Sequence, residues 1–317
     1  VGASAPLQNI ADMRTDGWEL SVGWRDHIGD WGYRLNLNVY DHKSKITKFN
    51  NLSGSIDNYY VGKALNSIYG YRADGYYSID DFDMEKAKVG TWVLKEGVVS
   101  VSGYSVQPGD VKFKDLDGNG VIDAGGSTLE NPGDREIIGN STSRYQFGGN
   151  LGVSWKGLDL NVLLQGVGKR DYWLGGAALF PFGAAGADGV FWPLYYNQTD
   201  YWSAVSYDPQ SPDYMVAKNP DAKLFRVYGQ DGNAGSNARV SDKYIQNAAY
   251  LRVKNVTLSY SFPSSLLRKV ALDQLRLYVS VENLATFTSL PKGYDPESLS
   301  WSYPFYRTWS VGASITF

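Results

Sequence analysis

The sequence predicts an all-β chain, a section of a membrane β-barrel. Three observations predict it. Seven segments alternate apolar and polar residues with a period of two. Their apolar faces tend to carry aromatics at the ends and aliphatics between. The connections between them alternate short and long.

The segments follow in order. Trp18, Leu20, Val22 and Trp24 are interleaved with Glu19, Ser21, Gly23 and Arg25, the mark of a strand with two unlike faces. Trp31, Tyr33, Leu35, Leu37 and Val39 then alternate with Gly32, Arg34, Asn36 and Asn38. A third segment runs Tyr145, Phe147, Gly149, Leu151, Val153, Trp155, and a fourth Leu158, Leu160, Val162, Leu164. The fifth carries Val256, Leu258, Tyr260, Phe262; the sixth Leu275, Leu277, Val279, Val281; the seventh Trp309, Val311, Ala313, Ile315, Phe317.

Alternation alone also fits a soluble sandwich, whose solvated face is polar. Two details favour the barrel. Trp18 and Trp24 bracket Leu20 and Val22, and Tyr145 and Trp155 bracket Leu151 and Val153, as aromatic girdles do around a lipid-facing band. The opposite face carries Arg, Asn, Gln, Glu and Gly along its whole length, as a wet or plugged interior allows. Connections at Asp26–Asp30, Lys156-Gly157 and Pro263–Asp273 are short, whereas those at about 41–144 and 169–244 are long. Outer-membrane barrels pair short periplasmic turns with longer extracellular loops. On that reading Phe317 lies at the periplasmic rim. Seven strands do not close a barrel, and open edges leave backbone groups unpaired in lipid. Residues 1–317 are therefore expected to be the C-terminal portion of a larger barrel whose remaining strands lie elsewhere.

Composition excludes several classes. The chain has 317 residues, 35 Gly, 24 Tyr, 10 Trp and no Cys, with a formal charge of −3. Without cysteine there is neither a disulfide scaffold nor thiol chemistry. The charge gives no reason to expect nucleic acid. No Ser/His/Asp grouping, zinc spacing or phosphate loop stands out, and His27 and His42 lie at opposite ends of the first hairpin. The expectation is that the chain is not an enzyme.

Several segments resemble the C-terminal region of SusC/RagA-type TonB-dependent outer-membrane transporters. They are MRTDGWELSVGWR (13–25), SIYGYRADGYY (67–77), GDVKFKDLDGNGVID (109–123), DREIIG (134–139), YLRVKNVTLSYSFP (250–263) and LRLYVSVENLATF (275–287), with a terminal Phe317. The resemblance implies about the last seven strands of a 22-stranded barrel, the size of plugged transporters. It also implies import of oligosaccharides or peptides, a SusD-like surface lipoprotein, and TonB acting through an N-terminal plug outside these residues. An alternative is a soluble, calcium-supported β-sandwich that binds carbohydrate.

One stretch carries metal-ligand spacing. Counting from Asp115, a calcium loop places Asp117, Asn119, Val121 and Asp123 at positions three, five, seven and nine, with oxygen ligands throughout. Position twelve, normally a bidentate carboxylate, is Gly126. In the family pattern the matching acid is Asp134, displaced by residues 124–133; Glu130 is a further candidate. The functional reading is a structural Ca²⁺ (or Mg²⁺) stiffening an extracellular loop. The other reading is a metal-free turn built from Asp, Asn and Gly. Residues 172–202 are rich in aromatics, and Trp173, Phe180, Trp192, Tyr195 and Trp202 are the candidates for substrate or lid contact; the alternative is that they pack the loop.

Overall fold

The computed structural model describes residues 9–87, 91–175, 184–185, 190–191, 198–228, 233–268, 271–299 and 305–317. Seven strands form one sheet in chain order. They are β1 (Ala11–Ile28), β2 (Trp31–Phe49), β3 (Arg144–Trp155), β4 (Leu158–Lys169), β5 (Tyr250–Ser261), β6 (Gln274–Thr288) and β7 (Thr308–Thr316). Each coincides with the alternating segment expected at that place, the fifth and seventh segments reaching one residue past the strand, to Phe262 and Phe317. The registered pairs from β2 through β7 are all antiparallel. No helix among the described residues is long and apolar enough to cross a membrane.

The strands run longer than the alternation shows. β1 has 18 residues and β2 has 19, whereas about 9–11 tilted residues cross a bilayer. The extra length of β2 is Asp41–Phe49, where Asp41, Lys43 and Lys45 put charge on the face that carries Leu37 and Val39 and the period-two signal is lost. Arg144 fixes this region: its Nε and Nη2 donate to the two Asp41 oxygens, each at 2.5 Å.

Local chemistry sets the turns. The first is Gly29–Asp30, tighter than the expected Asp26–Asp30, with Gly29 at φ 58°. Lys156 (φ 44°) and Gly157 (φ 91°) join β3 to β4, as a two-residue hairpin with both residues left-handed requires. A register shift at Val253/Asn255 makes Lys254 a bulge on β5, re-aiming it as bulges do.

The apolar face of the sheet lies open on interior strands: Leu37 is 43% exposed, Leu258 50% and Val279 43%. At the short-turn end, Trp31 pairs with Trp155 and their rings stack at 5.5 Å. On the polar face Gly152 lies beneath the Arg34 guanidinium, which reaches Asp159 at 2.6 Å. Arg252, nearly inaccessible, is paired with Asp295 (2.6 Å) and Glu297 (2.8 Å), and Lys254 reaches Glu297 at 3.2 Å.

The chain divides into two compact units. One holds the sheet (Thr15–Ser44, Thr142–Asp171, Asn247–Phe317) and the other holds Val1–Arg14, Lys45–Ser141 and Tyr172–Gln246. The second unit is largely the pair of long connections. They do not run as separate loops: they share an apolar core. Tyr77, Phe82 and Val106 form one cluster, and Trp202, Ala204, Met215 and Ala222 another. Trp92 packs against both, edge-on to Phe82 at 5.2 Å and stacked on Tyr214 at 5.9 Å. Two short sheets, 67–71 with 135–140 and 73–76 with 111–113, frame it.

Candidate functional site

The acidic loop is built from the backbone outward. Val111 and Phe113 are buried on a short strand, and Ile122, fully buried, exchanges backbone hydrogen bonds with Ser100 and Ser102. Residues 115–121 stand out between these anchors. Asp115 accepts the N–H of Gly118 (2.7 Å) and of Gly120 (2.9 Å) on its two oxygens. Asp117 accepts the N–H of Asn119, and Asn119 accepts that of Val121. Gly118 (φ 75°) and Gly120 (φ 83°) supply the left-handed positions, which glycine adopts without a Cβ penalty.

The inserted residues loop out, and a glycine pinch closes them. Gly125 and Gly133 are so close that a Cβ on Gly133 would lie 2.4 Å from Gly125 N. This returns the chain to the loop and seats Asp134, fully buried, beneath it. Asp134 accepts the N–H of Leu116 (2.7 Å) and of Asp123 (2.8 Å). Carboxylate oxygens of Asp115, Asp117 and Asp134 then lie within 4.8 Å of one another.

Not every candidate ligand joins this group. The Asp123 side chain turns away to accept the Gly125 N–H at 2.6 Å. Glu130 is exposed and lies outside the group. Val121 is exposed. The donor set is all hard oxygen, which suits Ca²⁺ or Mg²⁺. The Gly120 N–H, first among several backbone donors, holds the Asp115 carboxyl below its usual range, so it stays ionised for a cation.

The aromatic candidates separate. Trp202 is 1% exposed and sits in the core, its ring lying flat over Gly109, where a Cβ would come within 2.4 Å. The expectation of a surface contact is corrected for this residue: its neighbours are Ala204, Met215 and Ala222. Trp173 is half-buried beside Gly175. Phe180, Trp192 and Tyr195 lie outside the described residues.

A buried polar hub escaped the sequence reading. Asp110, fully buried, accepts from Tyr228 Oη (2.6 Å), Asn237 Nδ2 (3.0 Å) and the Gln107 N–H (2.9 Å). Asn237 in turn accepts the Val111 N–H at 2.7 Å. Burial pushes the Asp110 carboxyl up to about 6, against the opposing pull of these donors. Its position just before the acidic loop was the only signal, and its side-chain partners Tyr228 and Asn237 lie more than a hundred residues away.

No family model matches the chain. It is 28% identical to TonB-dependent receptor P3 of Formosa agariphila, over all of this chain and 30% of that protein. It is 24% identical to TonB-dependent receptor SusC of Bacteroides thetaiotaomicron, over 98% of this chain and 27% of the relative. The chain resembles SusC-like TonB-dependent transporters along its whole length. It spans under a third of the length of these SusC-like relatives. Among solved structures, the RagAB peptide transporter aligns with a TM-score of 0.61 at 22% identity, covering 98% of this chain and 30% of that one. The closed-closed state of the RagAB peptide importer aligns at 0.60. The fold is that of a β-barrel section of a TonB-dependent transporter.

Proposed function

We propose that this chain forms part of the wall of a SusC-like nutrient importer in the bacterial outer membrane, taking up oligosaccharides or peptides. One observation carries the reading. Seven long antiparallel strands run in chain order, and their apolar face stays exposed in mid-sheet, as at Leu258 and Val279. A contiguous apolar face needs a cover, and lipid covers the outside of a barrel. A β-sandwich buries that face against a second sheet, whereas Leu37, Leu258 and Val279 stay exposed; the soluble carbohydrate-binding alternative loses its support.

On this reading the polar face lines the barrel interior. Gly29–Asp30 and Lys156-Gly157 turn at the periplasmic side, and the C-terminus lies there too. The unit built from residues 45–141 and 172–246 is extracellular and meets a SusD-like lipoprotein. The remaining strands and an N-terminal plug complete the transporter, and TonB acts through the plug. The chain's own residues supply no catalytic step.

The Asp115–Asp123 loop with Asp134 is read as a structural Ca²⁺ (or Mg²⁺) site. Three carboxylates brought this close repel one another as anions, and a divalent cation relieves that repulsion. Asp115, Asp117 and Asp134 would hold it, with Asn119 and Val121 as neighbouring oxygen donors. The cation would stiffen the loop and takes no part in transport chemistry.

The test is extraction from outer membranes in mild detergent, with mass spectrometry of everything that stays bound. Plug-bearing barrel polypeptide together with a SusD-like lipoprotein is the expected result. A lone monomer, soluble without detergent, would overturn the importer reading.

A further inference from the structure

On the polar face of the sheet, β2, β3 and β4 enclose a groove of about 370 Å³. Its polar lining is Asn36, Asn38, Tyr40, Gln146, Asn150 and Gln165, with Leu163 and Val167 beside them on the same face, and no charged side chain among the described residues lines it. The register sets its shape. Asn36 pairs with Asn150, Asn38 pairs with Gly148, and Gly148 pairs on its other side with Gln165. Residues paired across strands share a face, so the three positions stand side by side. Gly148 has no side chain and leaves a slot between Asn38 and Gln165. A Cβ at Gly148 would lie 3.0 Å from Asn38 Oδ1, so any larger residue narrows the slot.

The carboxamides differ in how far they are satisfied. Gln146 accepts from Tyr40 Oη at 2.9 Å, and Gln165 donates to Tyr250 Oη at 3.3 Å. Among the described residues, the side chains of Asn36, Asn38 and Asn150 have no hydrogen-bond partner within the protein. Each offers an acceptor oxygen and a two-donor nitrogen. A hydroxyl both donates and accepts, so adjacent hydroxyls on a chain match this alternation. A charged group finds no counter-charge in the lining, and leaving water without one is costly.

We propose that the Gly148 slot is a binding subsite for an uncharged, hydroxyl-rich chain, a neutral oligosaccharide segment. This rests on the polar face being the inner wall of an importer, and it narrows the substrate class from oligosaccharides or peptides to one of them.

The absence of cysteine from this chain allows a direct test. The complete transporter polypeptide, with any cysteine outside these residues replaced by serine, carries Asn38→Cys. A second variant carries Tyr207→Cys, an exposed reference in the other unit. Isolated outer membranes are treated with a neutral glucosyl methanethiosulfonate, its cationic trimethylammonium analogue and its anionic sulfonate analogue. Each rate at Asn38→Cys is divided by the rate at the reference. The expected result is a normalised rate for the glucosyl reagent at least tenfold above both charged reagents. Adding Gly148→Gln to Asn38→Cys, which fills the slot, is expected to remove that preference. Equal normalised rates would overturn the neutral subsite. Failure of all three reagents to react would also overturn it, by showing the slot covered by protein. Recovery of the polypeptide outside the membrane fraction would instead strike the importer reading itself.

Discussion

Trp202→Ala separates a packing role from a contact role at one residue. Trp202 is 1% exposed, and Gly109, Ala204, Met215 and Ala222 surround it. A buried tryptophan removes about 150–250 Å² from water. At about 25 cal/mol per Å² that is roughly 4–6 kcal/mol as an upper bound. Measured Trp-to-Ala costs in cores are about 3–5 kcal/mol, and the lower figure is taken because the unit can collapse partly onto the gap. If opening and closing are fast relative to cleavage, proteolysis follows the open population. A loss of about 3 kcal/mol then raises cleavage about 10²-fold. The assay is limited proteolysis of the detergent-solubilised transporter, with fragments mapped to 45–141 and 198–228. Gly109→Ala is expected to act on the same contact, since its Cβ would lie 2.4 Å from the Trp202 ring. The two effects should be non-additive, as they are for residues in contact. Unchanged proteolysis together with lost ligand uptake would refute the core assignment and restore Trp202 as a contact residue.

Three further predictions follow from the same geometry. Calcium at millimolar concentration should protect residues 115–134 from hydrogen exchange relative to EDTA, and Asp134→Ala should abolish the difference; equal exchange in calcium and EDTA would refute a metal site. Asp110 has a folded carboxyl raised from 3.8 to about 6 by burial, so the native state binds the extra proton between those values. Stability of its unit is then full below about pH 4 and falls as pH rises through about 6, by roughly 2–3 kcal/mol at about 1.4 per unit; Asp110→Asn should flatten that slope in proteolysis at pH 4.5 and 7, and an unchanged slope would sink the assignment. Arg252→Met leaves Asp295 and Glu297 without the guanidinium that pairs both. Removing one partner of a buried pair costs about 3–5 kcal/mol, seen as lost exchange protection of residues 291–299.

Much of the fold was legible because a strand writes its two faces into neighbouring residues. Trp18 to Trp24, Leu158 to Leu164 and Trp309 to Phe317 each state their alternation within a few positions, and the structure places all seven segments in one sheet in that order. The Lys156-Gly157 turn was equally local. Where charge entered the apolar face, as at Asp41, Lys43 and Lys45, the same rule went silent and the strand ran on unseen.

The second unit was not legible, since its core joins residues far apart in the chain. Trp92 meets Tyr214, and Gly109 lies under Trp202; no local period announces such pairs. The acidic loop shows both limits at once. Its spacing from Asp115 to Asp123 is a property of the chain, readable by counting. That Asp134 lies beneath it, while Asp123 and Glu130 turn elsewhere, depends on two glycines packing backbone to backbone at 125 and 133. Sequence alone set the strands, their faces and the family likeness, because those follow from periods and words in the chain. Tertiary structure decided which aromatics are core, which carboxylates converge and where a neutral slot opens, because each depends on approach distances that only the folded backbone defines.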